Sequence, residues 1–300
     1  MNVLSLFDGM SVGQIALERI GVKVNNYYAS EVKPHAIQVT QENYPNTIQL
    51  GDVTKWKEWD IDWKSIDLII GGSPCQDLSG ANKERLGLEG VKSRLFYTYV
   101  DILNHLRTMN PGVKFLLENV KMPNTDKDIV SMHMDCQPIN INSKLVSGQL
   151  RNRLYWTNIE GVELPENRNI SLQSILDYGY TDRDKSRCLL ESDSRPLTTP
   201  IKMFHRYYST GFTTLIFKDE EHYLACKEHY DNNFKGLAAK DLVNTSDIYD
   251  GVRYLNQNEL EKLQTIPLGY TKSLNRNDAA CLLGDGWTVD VIAHIFKNLK

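Results

Sequence analysis

The 300-residue chain has a net charge of −4, with 41% hydrophobic and 24% charged residues. These values are typical of a globular protein with a sizeable core, and they argue against a surface that coats nucleic acid non-specifically. No apolar run approaches membrane-spanning length and the N-terminus has no signal-peptide pattern, so we expect a cytoplasmic protein without membrane contact. The five cysteines are scattered and never at metal-ligand spacing, which predicts reduced thiols and no metal site.

Strands and helices are predicted to alternate through the first 120 residues. The pattern predicts strands at 1–7, 22–30, 47–50, 66–70 and 113–117. Helices are predicted after Ser11, which can act as a cap, and then from 34 to about 44 and from 94 to 109. This order predicts a doubly wound parallel α/β sheet, in which ligands bind beyond the carboxyl ends of the strands.

The alternation stops after about residue 157. Residues 160–250 are rich in polar residues and tyrosine, with short β-like runs, which indicates a smaller and irregular domain. Thr288 can cap a final apolar helix, and the large sheet is the obvious partner for that helix. We therefore expect one domain from residues 1–160 plus 283–300, and a small second domain from 161–282.

Glycine and acidic residues follow successive predicted strands. Gly9 lies in the first loop, where a ligand can approach the backbone closely. Glu31 follows about 20 residues later, near the spacing at which an acid meets ribose hydroxyls, and Asp52 is placed to accept from an adenine amino group. The pattern suits an adenosine-bearing ligand. Because G-x-G-x-x-G is absent, S-adenosylmethionine fits better than NAD.

Candidate catalytic groups follow the fourth and fifth strands. Pro74 stiffens the approach to Cys75, a thiol at a strand end where a nucleophile is expected, although a small buried cysteine is the alternative. Glu118 ends an apolar strand, and partial desolvation would let it carry a proton near neutral pH. Arg151 and Arg153 are predicted on one face of a strand at 149–156, where their guanidinium groups suit a carbonyl, carboxylate or phosphate; surface ion pairs are the alternative.

From nearly its first residue to its last, the chain resembles the DNA cytosine-5 methyltransferases. The matching motifs, in order, are Phe7-Asp8-Gly9, Glu31, Gly51-Asp52-Val53, Gly72-Ser73-Pro74-Cys75-Gln76, Glu118-Asn119-Val120, Gln149-Leu150-Arg151-Asn152-Arg153, Arg253-Tyr254-Leu255 with 259–267, and 284–289. Several details, Trp287 among them, look closest to the vertebrate de novo branch. No reader domain precedes the catalytic region, which favours a compact enzyme of a bacterium or of a phage-infected cell.

The resemblance implies S-adenosylmethionine as methyl donor, with S-adenosylhomocysteine as product. It implies that Phe7 stacks on the adenine, that Glu31 holds the ribose and that Asp52 holds the adenine. The residues expected to bind the cofactor are Phe7, Asp8, Gly9, Met10, Glu31, Val32, Asp52, Val53, Ser73, Pro74, Trp287, Thr288 and Val289.

The resemblance also implies the catalytic roles. Cys75 attacks C6 of a flipped-out cytosine, and Glu118 protonates N3 of that base. Arg153 contacts the base carbonyl, Arg151 supports the site, and residues 76–93 form a loop that closes over the base. Expected DNA contacts are Gln76, Ser79, Arg94, Asn119, Lys202 and Arg206, with the small domain recognising the target sequence.

Two departures from the family pattern stand out: Asp285 replaces the usual Asn, and Asn256-Gln257 replaces Thr-Pro. The expected partner is double-stranded DNA, with a monomer as the favoured state, and the sequence leaves open whether a cognate restriction endonuclease accompanies the enzyme.

Three rival functions remain open at the level of sequence. A tRNA cytosine-5 methyltransferase shares the scaffold, but Pro-Pro-Cys and Cys-Phe-Thr, typical of that branch, are absent. A catalytically silent DNA-binding relative would not need Cys75, Glu118, Arg151 and Arg153, all of which are present. A nicotinamide oxidoreductase is disfavoured by the missing G-x-G-x-x-G.

Overall fold

The computed structural model describes residues 1–74, 94–190, 197, 199–211, 213–243 and 247–299. The chain folds into two compact units. The first comprises Met1–Asn142, Asn152–Pro165 and Gly286–Lys300, and the second comprises Ser143–Arg151 and Glu166–Asp285. The sequence prediction put the changes of domain at 160 and 282. The structure has them at 165 and 285, and it also assigns the excursion 143–151 to the second unit.

The first unit is built on a seven-stranded sheet in the order β3-β2-β1-β4-β5-β7-β6, counted over the described residues. The strands are β1 (Asn2–Leu6), β2 (Asn26–Ser30), β3 (Ile48–Gln49), β4 (Leu68–Gly72), β5 (Lys114–Val120), β6 (Ile139–Asn142) and β7 (Asn152–Thr157). The first five strands pair in parallel, whereas β7 is antiparallel to both β5 and β6. The predicted doubly wound α/β fold is confirmed, with an antiparallel edge that the sequence did not indicate.

The described α-helices are α1 (Val12–Arg19), α2 (Pro34–Asn43), α3 (Leu95–Met109), α4 (Asn124–Met134), α5 (Pro200–His205), α6 (Glu220–Asn233), α7 (Gln257–Leu263), α8 (Arg276–Asp285) and α9 (Val289–Phe296). Helices α1 to α4 and α9 belong to the first unit. The strands are apolar because both faces of a parallel sheet are covered: Leu4, Ile69 and Phe115 are buried, and so are Phe96 and Leu103 of α3.

Helix α9 completes the first unit. It packs against α1, and Arg19 of α1 forms an ion pair with Asp290. Val291, Ile295 and Phe296 are fully buried, and each such side chain stabilises the fold by roughly 1.5–3 kcal/mol. Helix α9 is therefore part of the buried interior of the first unit.

Two predicted helix caps are wrong. Ser11 precedes α1 but has a left-handed φ of 58°, and its hydroxyl donates to Asp8 instead of accepting from the helix backbone. A capping residue is normally extended, which directs its oxygen towards the first turn. Thr288 precedes α9 in an extended conformation but makes no side-chain capping bond.

By length and composition alone, the stretch Arg276–Phe296 could cross a membrane. It comprises α8 and α9, which residues 286–288 separate, and 72% of its apolar 18-residue window is buried inside the protein. Core helices pass the same test, and burial assigns this stretch to protein interiors.

The second unit has an aromatic core around Phe204, with Tyr230 and Tyr249 packed against it. Arg253 and Glu259, which follow the last residues of this core in the sequence, form a buried ion pair. Arg253 donates to both oxygens of Glu259, at 2.7 and 2.8 Å. Glu259 also accepts from the backbone of Asn256, which caps α7 in return. Asn256, one of the two departures from the family pattern, thus forms a complete capping box.

Candidate active site

The loop after β1 has an unusual backbone. Phe7, Gly9 and Ser11 have φ values of 55°, 61° and 58°, in the left-handed region. Phe7 and Ser11 are not glycines, so each such conformation costs of order 1–3 kcal/mol and must be held by its surroundings. One such contact is the Gly9 N–H, which donates to Glu31 at 2.7 Å. Strained backbone of this kind concentrates at ligand-binding sites.

Glu31 follows β2 and connects two neighbouring strand ends. Its Oε2 accepts from Gly9, and its Oε1 accepts from the backbone N–H groups of Val32 and Lys33, at 2.7 and 2.9 Å. A carboxylate has about four acceptor positions, so these three bonds leave about one for a ligand hydroxyl. Glu31 is thus fixed in place and can still accept a bond from a ribose.

Asp52 lies beyond β3 and is exposed to solvent. Its Oδ1 accepts from the backbone N–H and the hydroxyl of Thr54, both at 2.9 Å. The backbone bond from Thr54 lowers the pKa of Asp52 below its usual value, so the group is a carboxylate. An exposed, oriented carboxylate is suited to accept from an adenine amino group. Phe7, Glu31 and Asp52 therefore fit an adenosine-bearing cofactor.

The other residues predicted to bind the cofactor differ widely in exposure. Val32 is 64% exposed and Pro74 is half-buried. The buried ones are Met10, Val53, Ser73, Thr288 and Val289. Buried side chains can support a ligand pocket from beneath, and their cofactor contacts stay predictions.

Asp8 is held by hydroxyl groups beside this loop. Tyr27 donates to its Oδ1 at 2.8 Å, and Ser11 donates to its Oδ2. Desolvation by burial raises the pKa of Asp8 from 3.8 to about 6, despite the opposing effect of these hydrogen bonds. The folded protein therefore binds the Asp8 proton more tightly than the unfolded chain does.

We expect Asp8 to contribute a fall in the free energy of unfolding as the pH rises from about 4 to about 6, because its stabilising proton is lost in this window. The total change is up to about 3 kcal/mol. Asp8→Asn, whose amide resembles the protonated acid, should flatten this dependence and be the more stable protein above pH 7. Urea unfolding at several pH values measures the effect. The exposed Asp60→Asn should keep the wild-type slope, and an unchanged slope in Asp8→Asn would refute the assignment.

Glu118 lies in β5, and its carboxylate accepts hydrogen bonds from two donors outside that strand. It is 8% exposed and pairs in register with Gly72 of β4. Arg153 of β7 donates from Nε to Oε1 at 2.9 Å, and the Trp287 indole donates from Nε1 to Oε2 at 3.0 Å. Three elements that are distant in sequence therefore meet at one carboxylate. A carboxyl so held can present a hydrogen-bonding edge to a heterocyclic base.

Asn119, predicted to contact DNA, is 3% exposed. Its amide donates to the hydroxyl and the carbonyl of Ser73, at 3.0 and 3.3 Å, and its oxygen accepts from Val120. In the structure it fixes the segment that leads from β4 to Pro74. Cys75, Gln76, Ser79 and the predicted closing loop 76–93 lie outside the described residues.

The two arginines of the predicted strand 149–156 belong to different units. Strand β7 begins at Asn152, so Arg153 lies in the strand and Arg151 precedes it. Arg151 is buried, and its guanidinium donates to the carbonyls of Leu189 and Gly284, at 2.9 and 3.1 Å. These bonds hold together parts of the second unit, while Arg153 is the arginine that contacts Glu118.

The remaining predicted DNA contacts lie at or near the surface. Arg94 and Lys202 are exposed, and Arg206 is half-buried at the start of a short π-helix. Two more basic residues of the second unit are structural. Arg183 donates to the carbonyl of Thr213 at 2.7 Å, and Lys185 donates to three carbonyls, including that of Ser147 at 3.0 Å.

The sequence did not indicate the roles of Gly72 and Trp287 at the carboxylate. A Cβ atom on Gly72 would lie 2.9 Å from Glu118 Oε2 and 3.0 Å from Trp287 Nε1, closer than side chains pack. The glycine thus leaves room for the pair. In the sequence, Gly72 is visible only as the glycine directly before the Ser-Pro-Cys segment. That Glu118 lies opposite this glycine can be identified only from the strand register.

Comparison with known proteins identifies a family that the first part of the chain resembles. Residues 1–132 match the family model of C-5 cytosine-specific DNA methylases, whose members use S-adenosylmethionine as methyl donor. Type II methyltransferase M.NlaIV of Neisseria lactamica is 36% identical over 125 residues, which cover 40% of this chain and 28% of that protein. DNA (cytosine-5)-methyltransferase DRM2 of Oryza sativa subsp. japonica is 36% identical over 124 residues, covering 38% and 21%. The matches thus span about a quarter of these curated relatives.

Solved structures share the fold over the whole chain. The Spodoptera frugiperda DNMT2 mutant has a TM-score of 0.67 at 19% identity, covering 99% of both chains. The methyltransferase EhMeth of Entamoeba histolytica has a TM-score of 0.68 at 16% identity, covering 100% of this chain and 99% of the other. At these identities the likeness concerns the fold. The sequence match supports the family resemblance: residues 1–132, which carry Glu31, Asp52 and Glu118, match the family model of C-5 cytosine-specific DNA methylases.

Proposed function

We propose that the protein transfers a methyl group from S-adenosylmethionine to C5 of a flipped-out cytosine in a short DNA sequence, through a covalent bond between Cys75 and C6. The observation that carries the proposal is the Glu118 carboxylate, held by Arg153 and paired in register with Gly72 of the strand that leads to Ser73 and Pro74. Cys75 follows Pro74 in the sequence. We infer that the pairing of these two strands directs the candidate nucleophile towards the Glu118 carboxyl group.

Each group has one task in this proposal. The thiolate of Cys75 adds to C6, which places negative charge on the ring. Glu118 donates a proton to N3 and so relieves that charge. Arg153 orients the carboxyl through the 2.9 Å bond to Oε1. S-adenosylmethionine supplies the methyl group, and Phe7, Glu31 and Asp52 would hold its adenosine. A base such as water then takes the C5 proton, the electron pair of that C–H bond re-forms the C5–C6 double bond and expels the thiolate, and the N3 proton returns to Glu118.

DNA is the substrate that the relatives support, because M.NlaIV is named as a type II methyltransferase and DRM2 as a DNA (cytosine-5) methyltransferase. The match to a type II methyltransferase also supports a cognate restriction endonuclease as partner. Lys202 and Arg206 stay predicted DNA contacts of the second unit.

The test is methyl transfer from labelled S-adenosylmethionine to duplex DNA and, in parallel, to tRNA. We expect label in DNA only, and bisulfite sequencing of host DNA after expression should show methylcytosine in one short sequence context. Label in tRNA alone would favour the tRNA branch instead. Cofactor and DNA binding without transfer to either substrate would indicate a catalytically silent relative.

A further inference from the structure

We propose that Trp287 is a positioning residue for Glu118, and that its indole N–H holds the acid in the orientation that protonates the base. This inference rests on the proposed function and assigns Trp287 a task other than cofactor binding. Trp287 Nε1 donates to Glu118 Oε2 at 3.0 Å. The residues are 169 positions apart in sequence, so their contact is a product of the fold.

The two donors act on different oxygens of one carboxylate. Arg153 Nε donates to Oε1, and Trp287 Nε1 donates to Oε2. Rotation of the carboxyl group about its own bond would break both contacts, so together they fix the plane of the group. Each oxygen retains a lone pair or a proton for the base. Fixed orientation of a proton donor lowers the barrier because the group needs no rearrangement during the reaction.

The backbone around the pair is adapted to it. Gly72 lies directly opposite Glu118 in the β4–β5 register. Any side chain there would come within 3.0 Å of both Glu118 Oε2 and Trp287 Nε1. The residue before Ser73 is therefore a glycine because a larger residue would collide with the pair. A glycine would not be needed at position 72 if the indole ring packed at another place on the sheet.

The position of Trp287 is set by the helix that follows it. Only Thr288 separates it from α9, and Thr288 and Val289 are buried with exposures of 1% and 0%. Trp287 itself is half-buried, so its ring can be changed without opening the core. A substitution at this position is thus expected to be tolerated by the fold.

The test is the Trp287→Phe variant, which keeps an aromatic ring and removes the N–H. We expect kcat for DNA methylation to fall about 10- to 100-fold, with KM for DNA, affinity for S-adenosylmethionine and melting temperature unchanged. Trp63→Phe, another half-buried tryptophan of the first unit, should keep the wild-type kcat. Loss of cofactor affinity at unchanged kcat would overturn the proposal.

Two further variants separate the N–H from the ring. Benzothienylalanine at position 287 keeps the bicyclic shape and replaces N–H by sulfur, so it should lose as much kcat as phenylalanine; wild-type activity would refute the role of the N–H. Gly72→Ala should force the pair apart and give a similar loss.

One measurement does not depend on activity. The ¹H–¹⁵N signal of the Trp287 indole should shift in Glu118→Gln, and an unmoved signal would disprove the contact. If the wild-type protein transferred no methyl group at all, the proposed function would fail while this contact could still be verified.

Discussion

Cys75→Ser is expected to lower methyl transfer to DNA by at least about 10³-fold, because the attack on C6 needs a thiolate. A serine hydroxyl ionises far less readily and is a weak nucleophile without an activating base. Binding of S-adenosylmethionine should be unchanged, since Phe7, Glu31 and Asp52 are untouched. The measurement is single-turnover transfer from labelled cofactor, with cofactor affinity determined by calorimetry.

Two other cysteines have buried or half-buried thiols, and one of them provides the control. Burial raises the pKa of Cys136, and it raises the pKa of Cys226 to about 12, so neither thiol is a good nucleophile. Cys136→Ser should therefore methylate DNA at the wild-type rate. If Cys75→Ser kept that rate too, the nucleophile would be another group.

The covalent step can be tested directly with DNA that contains 5-fluorocytosine. Fluorine cannot leave C5 as a proton does, so the adduct between Cys75 and C6 should persist and migrate as a protein–DNA complex under denaturing conditions. Cys75→Ser should give no such band.

Glu118→Gln is expected to lower kcat by about 10²- to 10⁴-fold, the range that general acid–base catalysis contributes. Glutamine keeps the shape of the side chain and can still accept from Arg153, but it cannot deliver a titratable proton to N3. The variant should fold, because one oxygen remains for the guanidinium at 2.9 Å. Rapid-quench measurement of methyl transfer gives the rate, and thermal unfolding reports the stability.

A matched control is Glu18→Gln, an exposed glutamate on α1 whose contact is with Tyr44. It should leave the rate unchanged. Equal rates for Glu118→Gln and the wild type would remove the proton donor from the proposed mechanism. Slow formation of the 5-fluorocytosine adduct by Glu118→Gln would show that the acid already acts during the attack by Cys75.

The strand-end residues were predictable because their signals are local. Glu31 and Asp52 each follow a strand whose apolar pattern and turn residues lie within about ten positions, and parallel strands bring their carboxyl ends to one edge. Helix α2 likewise begins at Pro34, as its sequence predicts, since proline suits the first turn.

The pairings across the sheet could not be predicted, because they depend on register. That Gly72 faces Glu118 follows from the β4–β5 pairing. That Arg153 reaches Glu118 follows from β7 running antiparallel beside β5. Alternation along the predicted strand placed Arg151 and Arg153 on the same face. In the structure the chain enters the first unit only at β7, so Arg151 still belongs to the second unit, where it is buried.

The chain passes between the two units four times, and the last passage, at Gly286, returns it to the first unit. Helix α9, which lies against α1, is thus synthesised 270 residues after its partner, counted from Arg19 to Val289. During synthesis the ribosome must therefore add the whole of the second unit before the first unit can be completed. The order in which the units are completed is therefore the reverse of the order in which they are begun.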